Sequence, residues 1–460
     1  MGIEVIVLAA GKGTRMYSDL PKVLHPLAGK PMLSHVLDAA TSLSADKVHL
    51  VTGFQSDLIR QHYANTISAE RINWVEQTEQ LGTGHAVMQA APQVADSSTV
   101  LVLYGDVPLI KSDTLARLLN EANNTGIAVL TLVTPNPHGL GRMIRNSTGE
   151  IIAIVEEKDA TEAQRKITEI NTGIMAFRAD LLKRWLQQLN TNNAQGEYYL
   201  TDTVAIAHHE HIRIGSLQTH DANEVQGVNN RLQLAELERA TQLARARELA
   251  LAGVTIADPA RLDVRGELKV GRDVSVDINV IFEGNNVLGN RVSIGPNVVL
   301  INCVLGDDTS ILANSHLENV VIENGCQVGP FARLRPGTEL RSGAKIGNFV
   351  ETKKTVVGAG SKINHLSYVG DAELGESVNV GAGTITCNYD GVNKFRTTIK
   401  SGAFIGSNTA LVAPVTVGID ATVGAGSVIT TDVPDKDLAV ARGKQKNISG
   451  WKRPVKIKTT

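Results

Sequence analysis

Leu8-Ala9-Ala10-Gly11-Lys12-Gly13-Thr14-Arg15-Met16 follows an apolar run, Ile3 to Leu8, that reads as a buried strand, and it leads into charged and turn-forming residues. The pattern predicts a glycine-rich strand-to-helix loop at the edge of a parallel sheet. Loops of this kind hold phosphates. Gly11 and Gly13 let the backbone approach an anion closely, while Lys12 and Arg15 supply positive charge. The spacing is neither Gly-x-Gly-x-x-Gly nor that of a Walker loop.

From Ile3 to about Ala252, short apolar runs alternate with longer helical stretches. Strands are predicted at 48–51, 100–104 and 127–133, and helices at 31–42, 84–91 and 113–121. This βαβ order favours a mostly parallel sheet covered on both faces, with ligands gathered at the carboxyl ends of strands. Tyr104-Gly105-Asp106 ends one such strand, so Asp106 sets a carboxylate where magnesium is held by one or two protein oxygens plus phosphates and water. Asn229 to Ala252 carries neither Gly nor Pro and predicts one long connecting helix. The expected organisation is therefore a domain over 1–228, a linker helix over 229–252 and a second domain with a tail over 253–460.

Beyond the helix an aliphatic residue followed by glycine recurs, from Val270-Gly271 to Val423-Gly424. Successive glycines of these pairs are 18, 6, 11, 23, 18, 11, 12, 5, 6, 25, 12 and 6 residues apart, each six or a multiple of six within one residue. A hexapeptide repeat predicts a parallel β-helix whose stacked strands bury aliphatic ladders. An aromatic content of 4% suits a narrow prism. The interval of 25 contains Thr386 to Phe395, which predicts a protruding loop. Lys444 to Thr460 is a basic tail.

A net charge of −2 gives no electrostatic case for nucleic acid or an anionic membrane. Three unclustered cysteines argue against zinc, redox motifs and disulfides, and no apolar run reaches a membrane span. A cytoplasmic protein is expected. Only His316 and His365 fall between Val270 and Val433, too few for a three-histidine zinc hydrase.

The first stretch continues to Leu20-Pro21-Lys22 and Leu27-Ala28-Gly29-Lys30-Pro31-Met32, and it resembles the signature of sugar-1-phosphate nucleotidyltransferases. Gln77 to Ala86 resembles their base-reading loop. The resemblance implies that Leu8, Ala9, Ala10, Gly11, Lys22, Tyr104, Gly105 and Asp106 bind UTP, with Gln77, Gly82 and Thr83 against the uracil. Gly141, Glu156 and Asn171 are then sugar contacts, and Asn229 joins Asp106 as a ligand of Mg2+. Arg15 and Lys22 neutralise charge while a sugar 1-phosphate attacks the α-phosphorus and pyrophosphate leaves.

In the repeat, polar interruptions at 333–337, 348–354, 365–371 and 381–391 place Arg, Lys and His together, which suits an anionic substrate and a base. The whole chain resembles the bifunctional enzymes that make UDP-N-acetylglucosamine for peptidoglycan and lipopolysaccharide. These join a Rossmann-like uridylyltransferase domain to an acetyltransferase on a left-handed β-helix. That resemblance implies a homotrimer whose small-molecule substrates are UTP, acetyl-CoA, glucosamine 1-phosphate and N-acetylglucosamine 1-phosphate. It assigns His365 as the base, oriented by Glu351, with Arg335, Lys353, Tyr368, Asn379 and Lys394 holding the sugar phosphate. Ala382, Asn388, Tyr389, Ser407, Ala425 and Arg442 are assigned to acetyl-CoA. Leu140, where the family often has tyrosine, and Val369, where leucine is frequent, are departures that touch packing rather than polar contacts.

Overall fold

A computed structural model of the chain describes residues 2–64 and 72–456. The last four residues of the expected basic tail, 457–460, lie outside the described residues. The chain divides into two compact units, Met1–Thr241 and Gln242–Thr460.

The first unit is built on a sheet whose strands run in the order Ile214–Thr219, Ile127–Val133, Glu169–Arg178, Thr99–Tyr104, Ile3–Ala9, Lys47–Thr52, Ile72–Glu76. Every neighbouring pair on this path is parallel except those made by Glu169–Arg178, which runs antiparallel to both its neighbours. Because adjacent side chains point to opposite faces, Val5 and Val7 join one buried cluster and Ile6 another. The sheet is thus covered on both sides, which is why its central strands read as unbroken apolar runs. The expected helices are present over Met32–Ser42, Thr83–Ala90 and Ser112–Thr125.

One expectation needs correction. The glycine-rich loop does not open an α-helix: a single 3-10 turn, Thr14–Met16, follows it, and the first α-helix starts at Met32. The loop therefore offers an anion Lys and Arg side chains and its own N–H groups, not a helix terminus.

The second unit is a parallel β-helix. Its strands form three ladders with a rung every 17 or 18 residues in most coils, so each coil has three strands. One ladder stacks Val276, Ile294, Ile311, Val328, Ile346, Ile363, Val380, Ile405 and Val423, all buried. Between ladders the chain turns through residues with positive φ. One corner is the column Asn279, Asn297, Asn314, Phe331, Phe349, Leu366, Gly383, Asn408 and Gly426, with Asn279 and Asn297 each donating to the next asparagine. Asparagine and glycine tolerate that left-handed conformation, whereas phenylalanine and leucine rarely adopt it. The repeating glycines have a different cause. A Cβ on Gly347 would lie 1.9 Å from Asn364 O, and one on Gly358 would lie 2.0 Å from Gly375 O. These glycines let one coil rest on the next.

The coils begin earlier than the aliphatic-glycine pattern announces, with Thr255–Ile256 and Leu262–Val270, and Leu438–Ala439 adds a rung after Val433. The expected loop occurs between Ile385–Cys387 and Thr397–Ile399, with Tyr389 and Lys394 bridged across it. Ile363 is fully buried in mid-ladder, so Ile363→Ala is expected to destabilise this unit by about 2–5 kcal/mol. Calorimetry of the full chain should show a lowered transition for one unit and an unchanged one for the other.

The long helix spans Arg231–Leu251, and the division between units falls inside it. It is more than a connector. Leu237 is buried with Met16, Leu27, Met32 and Val228 of the first unit, and Glu238 accepts from Ala28 N at 2.6 Å. In the other half, buried Gln242 accepts from Val264 N at 2.7 Å and donates to Val264 O at 3.1 Å, while Arg245 donates to Val264 O. Among the described residues the first-coil strand Leu262–Val270 has one strand neighbour, Val280–Leu288, and on its other edge these side chains satisfy the backbone groups of Val264.

Candidate active sites

In the first unit the carboxyl ends of Ile3–Ala9 and Thr99–Tyr104 lie side by side, with Leu8 in register with Tyr104 and Leu8 O accepting from Gly105 N at 2.9 Å. Beside them the loop folds back on Lys22: a Cβ on Gly13, at φ 59°, would sit 2.7 Å from Lys22 Cβ. Lys22 Nζ pairs with Asp106 and lies 3.4 Å from Asn229 Oδ1, to which Arg15 donates at 3.1 Å. Lys22, Asp106, Asn229 and Arg15 therefore converge. Asp106 Oδ2 and Asn229 Oδ1 both face the Lys22 ammonium, so two hard oxygens address one cationic position, as a magnesium site with phosphate and water ligands requires. No group of three or more metal-ligating His, Cys, Asp or Glu residues occurs among the described residues.

Around this centre, Gln77 is buried and donates to Gly82 O at 3.4 Å, with His85 Nδ1 3.0 Å from its amide nitrogen. Gly82 has φ 106°, and a Cβ there would strike Tyr198 O at 2.7 Å, so the turn before Thr83 must be glycine. Thr83 Oγ1 accepts from Leu200 N at 3.2 Å. Ala9 and Ala10 are buried, and a Cβ on Gly11 would meet nothing within 4 Å. The Tyr104 ring covers Gly173, and burial, with the Glu156 and Asp106 carboxylates next, pushes its hydroxyl above the usual tyrosine range.

Gly141, Glu156 and Asn171 also come together. Asn171 N donates to Gly141 O at 2.9 Å, Asn171 Oδ1 accepts from Gly173 N at 3.0 Å, and a Cβ on Gly141 would lie 3.3 Å from Glu156 Oε1. Burial raises the Glu156 carboxyl above its ordinary range, against the hydrogen bond from Thr201 Oγ1 at 3.1 Å. Arg142, the residue after Gly141, turns inward: it is buried and bound to Glu157, Leu140 O and Arg165 O.

In the second unit a cationic cluster faces solvent. The Lys353 and Lys394 ammonium groups oppose each other, and with Arg335 near they hold Lys353 below the usual lysine range. Arg335 is paired with Glu351 and Asp371 offsets the lysines only in part, so the cluster keeps an excess of positive charge that suits a phosphate. Tyr368 lies over Gly370, where a Cβ would approach its hydroxyl to 2.4 Å, and Gly370 is the register partner of Lys353. Asn388 donates to Asp371 from the base of the protruding loop, and Tyr389 is exposed within it.

His365 is exposed and its Nδ1 lies 2.9 Å from Asn348 Oδ1. The expected orientation by Glu351 is corrected here. Glu351 accepts from Arg335 Nη1 at 2.9 Å, and the ring's hydrogen bond goes to the adjacent coil instead. Register adds a relation that the motifs did not show. Counting two residues past Ile346, Ile363, Val380, Ile405 and Val423 gives Asn348, His365, Ala382, Ser407 and Ala425, one column on five successive coils. Arg442 closes its far end by donating to Ala425 O at 2.7 Å. Asn379 lies beside this column, paired with Lys362 and Phe404.

Residues 5–209 match the MobA-like NTP transferase domain family. Among solved structures, a UDP-glucose pyrophosphorylase complexed with UDP-glucose is similar over 52% of this chain and 98% of its own, at 17% identity and a TM-score of 0.45. The bifunctional protein GlmU of Marinobacter nauticus is 57% identical over 454 residues, 99% of each chain. At that identity and coverage, the chain belongs to the family of bifunctional GlmU proteins.

Proposed function

We infer that the chain is a bifunctional enzyme of UDP-N-acetylglucosamine synthesis. Its second unit acetylates glucosamine 1-phosphate, and its first unit transfers UMP from UTP to the product. The observation that carries the second half of the reading is the column from His365 to Ala425 beside the Lys353, Lys394 and Arg335 cluster. At the spacing of paired strands, the column runs about 14 Å from His365 through three small residues, a track fitted to an elongated acyl carrier. The cations take the sugar phosphate. His365 Nε2 takes a proton from the amine as its nitrogen attacks the thioester carbonyl, and the carrier leaves as a thiolate.

In the first unit Arg15 and Lys22 hold phosphate oxygens, and the Gln77 to Thr83 turn takes the base. Gly141, Glu156 and Asn171 hold the sugar. Mg2+, when bound, neutralises phosphate charge and orients the α-phosphoryl group, with Asp106 and Asn229 as the oxygens that hold it. No covalent intermediate is needed, so the side chains act by positioning and by charge.

No helix among the described residues is long and apolar enough to cross a membrane, and Cys303, Cys326 and Cys387 are free, which supports a cytoplasmic enzyme. A homotrimer through the β-helix completes the proposal, since one prism face can be reused at each contact of a closed ring. Purified full chain should convert glucosamine 1-phosphate, acetyl-CoA, UTP and Mg2+ to UDP-N-acetylglucosamine, and each half-reaction should proceed alone. Absence of acetyl transfer, or sedimentation as a monomer at micromolar concentration, would sink the corresponding part.

A further inference from the structure

We propose that Asn348 is a positioning residue for acetyl transfer, fixing the tautomer of His365 across the coil boundary. This rests on the reading of His365 as the base. A neutral imidazole carries one proton, and the hydrogen bond at one nitrogen decides which. Asn348 Oδ1, which can only accept, lies 2.9 Å from His365 Nδ1. The proton is therefore on Nδ1, and Nε2 presents the lone pair that general-base chemistry needs. Reversal of that amide would donate to Nδ1 and leave Nε2 protonated, with no basic nitrogen facing a substrate.

The backbone around the pair is held firmly. Asn348 and His365 are register partners ending adjacent strands, Lys345–Asn348 and Lys362–His365. Asn348 O accepts from Leu366 N at 3.0 Å, and Ser367 Oγ donates to His365 O at 2.8 Å. The residues that follow each partner, Phe349 at φ 56° and Leu366 at φ 47°, are bulky side chains in the left-handed conformation. Elsewhere this corner mostly uses asparagine or glycine. Such backbone persists only where its surroundings over-determine it, and here it fixes how two consecutive coils present Asn348 and His365. The one carboxylate expected to do this work, Glu351, is engaged by Arg335. A neutral amide orients the ring without adding charge next to it.

The test uses full-length protein with histidine-selective 15N labelling, His365 being assigned among the 12 histidines by difference from His365→Gln. In the wild type, above the histidine titration, the His365 signals should report a proton on Nδ1. Asn348→Ala should shift them toward the Nε2-protonated form. It should also lower kcat for acetyl transfer about tenfold to a hundredfold, in the range found when groups that orient an imidazole are removed. KM for glucosamine 1-phosphate should change less than about twofold, because the amide does not hold the phosphate. Asn348→Asp keeps an acceptor at the same place and should restore the tautomer and most of kcat. An unchanged calorimetric transition of the second unit reports the fold of each variant. A wild-type ring protonated on Nε2, or an Asn348→Ala variant with unaltered tautomer, overturns the proposal. A shifted tautomer with undiminished kcat overturns its catalytic part, and retained turnover in His365→Gln as well would locate the failure in the base assignment.

Discussion

His365→Ala should lower acetyl-transfer turnover by at least about a hundredfold and leave uridylyl transfer at the wild-type rate. Attack on the thioester requires a free amine, and near neutral pH much of a sugar amine is protonated, so turnover depends on a group that accepts that proton as the bond forms. General bases contribute about 10² to 10⁴ in rate, and an imidazole with an ordinary pKa near 6.5 is well matched to neutral conditions. His365 is exposed, and truncating its ring removes no buried contact of the ladder that holds Ile363. Loss of fold is therefore not the expected cause of lost activity. The trimer should persist, and steady-state assays of both reactions on one preparation check the prediction. Near wild-type acetylation would transfer the base role to water or to Glu351.

Asp106→Ala should reduce uridylyl transfer by more than about a hundredfold and spare acetyl transfer. Charge neutralisation at a transferring phosphoryl group is worth several kcal/mol, and about 1.4 kcal/mol corresponds to a factor of ten. Asp106 pairs with Lys22, whose ammonium also lies 3.4 Å from Asn229 Oδ1, so its removal takes away both the anionic oxygen offered to Mg2+ and the partner of the lysine. The side chain is 18% exposed, and Lys22 is left without its ion pair, so Asp106→Asn, which keeps the shape, is the companion variant. Both variants should retain acetyl transfer, because His365 and its column belong to the other compact unit. Loss of both reactions in a folded variant would contradict two independent sites.

The repeat was legible because its physical demand falls on single residue types. A coil can rest on the next only where a Cβ is absent, and Gly347 and Gly358 show how little room remains. The first coil was not legible, since its close-contact glycine, Gly266, follows Arg265 and forms no aliphatic-glycine pair, and the edge of Leu262–Val270 is met at Val264 by Gln242 and Arg245, side chains that carry no strand signal. In the first unit the strand Glu169–Arg178 was read only as the bearer of Asn171, because antiparallel insertion into a parallel sheet depends on pairing and leaves the apolar pattern unchanged. The 3-10 turn after Gly13 escaped for a similar reason: the pattern announces a turn and is silent on how soon an α-helix begins. Asn348 stood in a quoted polar interruption without a role. Its partner, His365, lies 17 residues away, and only the coil length makes them neighbours.

The buried pairing of Gln242 with Val264 sets where this chain can be cut. A truncation at Gly253 would follow the sequence boundary between helix and repeat, yet it would strip the side-chain amide that imitates a neighbouring strand and leave the backbone of Leu262–Val270 as an open template for other chains. Such a fragment invites stacking end to end. An isolated acetyltransferase should instead keep the helix from before Gln242, carrying its own lid, whereas an isolated uridylyltransferase should run past Leu237 and Glu238 to retain the contacts they make. A single cut between Glu238 and Gln242 therefore leaves each set of contacts with its own unit, whereas a cut at Gly253 does not.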